Sequence, residues 1–129
     1  MKTEVYAELY ISCKKINLDI LDSLIELKSY NYHAIGDVSK SGILLDYSGW
    51  WYKTEIIGVY YSEEITDLLC NRIMEHFDKL EEFVKAYECQ VTVSVVIFKI
   101  GDSLPSLTAN RRLISILERL QGTLEFDGL

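Results

Sequence analysis

His33 stands four residues before Asp37 in the stretch YNYHAIGDVSKSG. A histidine beside a carboxylate is what a general base needs. The plainer reading is a surface-loop histidine with no chemical role. The glycines, serines and Lys40 of that stretch also invite comparison with a phosphate cradle, but the Walker spacing G-x-x-x-x-G-K-[ST] is absent. Metal ligation would fall to His33, His76 and three cysteines, Cys13, Cys70 and Cys89. They form no C-x-x-C, H-x-x-x-H or H-E-x-x-H pattern. Cys13 closes an expected first strand and Cys89 opens a later one, so the two could be sheet neighbours; small core hydrophobes is the plainer reading. No G-x-S-x-G elbow surrounds any serine. The carboxylates Asp19 and Asp22, and the pairs Glu75–Lys79 and Glu81–Lys85, have the spacing of ordinary helix surface. No catalytic, cofactor-binding or metal-binding residue is assigned.

The aromatic residues are more informative. Residues 30–61 hold eight of the fifteen aromatics, all Tyr or Trp. Both types carry a polar end and tolerate a half-wet setting. Tyr6 and Tyr10 join them from the polar face of the first strand. These rings either cover an otherwise bare sheet face or form a binding surface, since Tyr and Trp are enriched at interfaces. The candidate partner-binding residues are Tyr6, Tyr10, Tyr30, Tyr32, Trp50, Trp51 and Tyr52. Adjacent strand residues point to opposite faces. One tryptophan of the GWWYK stretch is therefore expected in the core, while the other covers the open side or meets a partner.

Such residues need elements to hold them. The chain has 129 residues, 49% of them apolar, with one proline, enough for a single domain, 1–129, around one core. Val5, Ala7, Leu9, Ile11 and Cys13 alternate with polar or aromatic residues, the period of a half-buried strand. A short helix is expected over 17–28 with Asn17 as cap. A loop follows, then a short strand at GILLDY and a strand over 50–60 broken at Gly58. Ile65, Leu69, Ile73, Phe77, Leu80, Val84 and Tyr87 predict one long helix from Ser62. Gln90–Ile100 reads as a central strand, and a turn follows at Gly101-Asp102 and Pro105. Thr108 or Asn110 starts a third helix, Gly122 ends it in a left-handed cap, and Leu124 and Phe126 lie on a final strand. The expected fold is α+β in two layers. It has an antiparallel or mixed sheet of four to five strands and three helices mainly on one face, as a ferredoxin-like variant.

The formal net charge is −7 and the isoelectric point about 4.8. Nucleic acids and anionic membranes require concentrated positive charge, so neither is an expected partner. Arg111-Arg112 reads as solvated surface. A basic protein partner fits the acidic balance. The segment from Ser62 to Glu88 carries eight acidic and three basic residues, so an acidic rim beside the aromatic anchors is expected. Glu4 and Glu8 interrupt the N-terminal stretch, so no signal peptide and no membrane span is expected. Three scattered cysteines without an export signal predict reduced thiols in a cytoplasm.

AELYIS followed by LDILDSLI, the loop IGDVSKSG, the SGWWY element and the tail PSLTANRRLISILERLQGTLEFD together resemble the bacterial domain-of-unknown-function family 4279 over nearly the whole chain. SYNYH stands where that family has a proline after the first helix. The resemblance implies a small cytosolic α+β protein and supplies no reaction. Proteins of this general kind are suspected of being immunity proteins in toxin systems.

The expected role is therefore a non-enzymatic cytosolic binding protein, with immunity against a bacterial toxin as its specific form. Two alternatives stay open: a small-molecule-binding or enzymatic domain using a pocket beside the 31–49 loop, and a homodimer whose sheet faces pair.

Overall fold

In the computed structural model, which describes residues 1–102 and 110–128, strand β1 (Thr3–Cys13) runs through the middle of a mixed sheet. The turn expected at Pro105 and the cap considered at Thr108 lie outside the described residues. The strand order is β2 (Asn31–His33), β3 (Ser48–Lys53), β1, β5 (Gln90–Lys99) and β6 (Thr123–Asp127). A sixth strand, β4 (Ile57–Val59), pairs with β1 beyond the end of β3. All pairings are antiparallel except β5 with β6, which is parallel.

Strand alternation decides the layers. Val5, Ala7, Leu9 and Ile11 are fully buried, while Tyr6, Glu8, Tyr10 and Ser12 on the other face stay half-buried. The helices α1 (Leu21–Leu24), α2 (Glu63–Met74), α3 (Phe77–Tyr87) and α4 (Arg111–Leu120) all contribute buried side chains to the core with Leu9 and Ile11. Full burial of one such side chain contributes about 1.5–3 kcal/mol. The result is an α+β domain whose described helices cover one sheet face and leave the other uncovered.

Several elements differ from the sequence reading. The expected long helix is two helices. His76 leaves the helical region at φ −130°, and its Nε2 lies 2.5 Å from Glu26 Oε2. Both helices face one core, so the apolar period runs unbroken across the kink and hides it. The first helix is shorter than expected: a single 3-10 turn at Leu18–Ile20 precedes α1. Asn17 does not cap it. Ser48 Oγ accepts the Leu18 amide instead, at 3.0 Å, and Asn17 Oδ1 accepts from Ile35 N at 2.8 Å. GILLDY forms no strand; Leu44 makes an isolated bridge to Val38. Six strands and four α-helices among the described residues thus replace the expected four to five and three.

The strand over 50–60 breaks at Thr54–Ile56 rather than at Gly58. Lys53 pairs with Glu8 but Ile57 with Val5, so one extra residue sits on the second strand as a bulge. Thr54 bridges it: its amide donates to Ala7 O at 2.9 Å, and its Oγ1 accepts the Ala7 amide at 3.0 Å. At the far end, Asn110 caps α4 by accepting from Leu113 N. The left-handed residue there is Gln121, at φ 52°, not Gly122. Gly122 serves close approach, since a Cβ would lie 2.9 Å from Leu117 Cδ2 and 3.0 Å from Val91 O.

Candidate interaction face

Register with β1 sorts the aromatic residues. Trp51 lies opposite Tyr10 on the open face, and Trp50 opposite Ile11 on the core face. Trp50 is fully buried, and its Nε1 donates to Asp22 Oδ1 at 2.6 Å. Tyr52 is also buried and accepts from Arg72 Nη1 at 2.7 Å; Arg72 further pairs with Glu55. That pair holds the Glu55 carboxyl below the usual carboxylate range, chiefly through the hydrogen bond from Arg72. Trp50 and Tyr52 are therefore core residues and not part of the exposed aromatic face, and Tyr32, opposite Trp50, packs against the same core. Tyr6, Tyr10, Tyr30 and Trp51 are the candidates that the fold gathers on one face.

There the rings are ordered. Tyr10 and Trp51 stack with centroids 4.6 Å apart and planes 25° from parallel. His33 meets Trp51 at 5.4 Å and packs edge-on against Tyr47 at 4.8 Å. Gly49 makes this closure possible. A Cβ there would lie 2.6 Å from His33 Nε2 and 2.7 Å from Trp51 Cη2. His33 Nδ1 is buried without a hydrogen-bond partner among the described residues. Further along, Lys53 Nζ lies 4.6 Å from the Tyr30 ring centre and 5.7 Å from that of Tyr6, within reach of cation–π attraction. The Tyr30 hydroxyl donates to Glu8 Oε2 at 2.5 Å. Burial first, and then the Glu8 contact, raise the Tyr30 pKa well above its ordinary value. Tyr6 is raised by burial and by the Glu8 and Asp127 carboxylates, and Tyr10 chiefly by burial.

Charge is distributed unevenly across this face. By register Glu4 and Glu8 of β1, and Glu125 and Asp127 of β6, share it with Lys53. The acidic rim thus lies on the sheet itself. The helical segment after Ser62, where the rim is expected, packs α2 and α3 against the opposite sheet face, and of its acidic residues Glu88 reaches the cleft lined by Tyr10 and Tyr47.

At the end of the same face, a shallow cleft of about 430 Å³ opens between Tyr10, Ser12, Tyr47, Tyr87 and Gln90, with Lys14 and Lys15 at its mouth. Lys15 pairs with Glu88 at 3.0 Å. Cys13 borders the cleft, whereas burial pushes the Cys70 thiol up to about 11 and the Cys89 thiol up to about 12. Neither of those two is a ready thiolate at neutral pH. His33 and Asp37 do not form a catalytic pair: Asp37 Oδ2 accepts the Ala34 amide at 2.7 Å, while the His33 ring faces Trp51 and Tyr47. Among the described residues no group of three or more His, Cys, Asp or Glu could hold a metal ion, and no helix is long and apolar enough to cross a membrane.

Sequence reasoning missed Gly49, His33, Tyr47, Lys53 and Glu8 as parts of this face. A parity signal existed for two sets. Gly49, Trp51 and Lys53 share one side of their strand, and Tyr6, Glu8 and Tyr10 share one side of theirs. Only the cross-strand register shows that the two sides coincide.

No curated protein and no solved structure matches the chain. One family model does, over residues 3–128, under the description "Domain of unknown function (DUF4279)". With nearly its whole length matched, the chain belongs to the DUF4279 family.

Proposed function

We propose that this protein is a non-enzymatic binding module whose open sheet face receives a basic protein partner. The observation that carries the reading is the Tyr10–Trp51 stack, flanked by Tyr6 and Tyr30 on a sheet face that the described helices leave uncovered. Rigid aromatic rings lose little conformational freedom on binding and dominate interface energetics. The Glu4, Glu8, Glu125 and Asp127 carboxylates supply the charge that would steer a basic surface toward them. A toxin neutralised by this chain is the specific form of the reading, and the family resemblance is what supports it. The sheet order β2-β3-β1-β5, antiparallel throughout, supports describing the scaffold as a ferredoxin-like unit extended by α4 and β6.

The test is association with a toxin encoded beside this chain, measured at two salt concentrations for the parent and for Trp51→Ala. Binding should weaken by more than about 2 kcal/mol in the variant and fall with salt. Equal binding by Trp51→Ala, with the parent's circular dichroism spectrum, would place the contact elsewhere.

The cleft beside Tyr47 favours a second reading, a small anionic ligand held near Lys14 and Lys15. Its volume of about 430 Å³ falls within the range of small-molecule sites. Ligand titration followed by NMR separates the readings. Shifts confined to Ser12, Lys14, Tyr47 and Gln90 would favour the cleft.

A further inference from the structure

The β1–β5 register ends beside two cysteines. Ile11 pairs with Val91 and Ser12 with Gln90, and continuing the antiparallel ladder by one residue sets Cys13 against Cys89, just before β5 begins. Opposed residues of an antiparallel pair have Cα atoms about 4.5–5.5 Å apart, inside the roughly 4.4–6.8 Å that a disulfide spans. Both side chains are on the core face, 3% and 9% exposed. Cys13 lies near enough to Cys89 to help burial raise the Cys89 pKa. Cys13 Sγ donates to Tyr87 O at 3.3 Å and accepts the Lys15 amide at 3.4 Å. Cys70 stands apart on α2. Both partners of the pair are thiols in this structure. Each borders a different cleft: Cys13 the one of about 430 Å³ beside Tyr10 and Tyr47, and Cys89 one of about 460 Å³ between Val84 and Gln121.

We propose that Cys13 and Cys89 are a redox-active pair, closed to an intramolecular disulfide by exchange with an oxidised low-molecular-weight disulfide that enters through the cleft. The Cys13 thiol loses its proton, and its sulfur attacks one sulfur of the reagent. One reagent thiolate leaves and takes up a proton. The Cys89 sulfur, deprotonated in turn, displaces the second reagent thiol from Cys13. The protein dithiol is oxidised by two electrons, and one reagent disulfide is reduced to two thiols. Both thiols are largely buried, so closure is slow without help and the bridge, once made, is shielded. The bridge ties the first strand to the fifth across 75 intervening residues, counted from 14 to 88, and so restricts the unfolded chain strongly. This inference is independent of the aromatic-face reading.

The test uses the full chain incubated with oxidised and reduced glutathione at graded ratios. Free thiols are counted after denaturation, and peptides are mapped by mass spectrometry. The expected result is a fall from three thiols to one, a Cys13–Cys89 linked peptide, a raised melting temperature and full reversal by reductant. Cys70→Ala, which keeps the pair, should fall from two thiols to none. Cys13→Ser should form no internal bridge. Three thiols persisting at the most oxidising ratio, a bridge that includes Cys70, or a mixed disulfide at Cys13 that never resolves would each overturn the proposal.

Discussion

Trp51 lies against Tyr10 across the β1–β3 pair with ring centroids 4.6 Å apart, on the sheet face opposite its neighbour Trp50. One covalent bond along the chain separates two environments. Trp50 is enclosed by the core and tied to Asp22, whereas Trp51 keeps part of its ring in solvent.

The two tryptophans should respond differently to truncation. Trp50→Ala opens a large cavity and should cost roughly 3–5 kcal/mol. Trp51→Ala removes one stacked pair and should cost about 1 kcal/mol. Urea denaturation of both variants checks this. Equal losses would contradict the assignment of faces.

Gly49→Ala should destabilise the protein by about 1–3 kcal/mol through overpacking. The new methyl meets the His33 and Trp51 rings at 2.6–2.9 Å, so the rings must lift from the strand. Altered Trp fluorescence should accompany the loss. A parent-like spectrum and melting curve would show that the rings are not seated on Gly49.

Thr54→Val keeps the shape of a buried side chain but removes the hydroxyl that accepts the Ala7 amide. The orphaned amide should cost about 1–3 kcal/mol. Hydrogen exchange at Ala7 should accelerate in Thr54→Val and recover in Thr54→Ser. Unchanged protection in the valine variant would mean that the bulge does not depend on this bond.

Tyr30 should make stability fall at alkaline pH. Its folded pKa is raised above the ordinary 10.0, so the folded state holds the phenol proton more tightly than the unfolded state. The contribution is fully present below about pH 10 and is lost as pH rises through the folded value. Tyr30→Phe should flatten the alkaline decline in stability and remove the latest-titrating tyrosine from an ultraviolet titration. An unchanged decline would assign it to another group.

Much of this molecule follows from one-dimensional pattern. The alternation from Val5 to Cys13 fixes which side of β1 is apolar, and the spacing of Leu113, Ile116, Leu117 and Leu120 fixes the buried side of α4. Those periods are properties of the local backbone, so sequence alone carries them. The family was legible too, because the motifs occur in order along nearly the whole chain. What lies between elements was not. The α2–α3 kink has no proline or glycine to mark it, since His76 is held by Glu26 from 50 residues away. The Thr54 bulge needs Ala7 as its partner. Pattern could say that Trp50 and Trp51 must part, but not which would be buried. That choice depends on the register with Ile11 and Tyr10, set by the bulge and by helices packing on one side of β1. The same register seats Cys13 opposite Cys89 and brings Tyr6, Tyr10, Tyr30 and Trp51 onto one face. Contacts across about 20 to 90 residues carry no local period, and only the folded chain decides them.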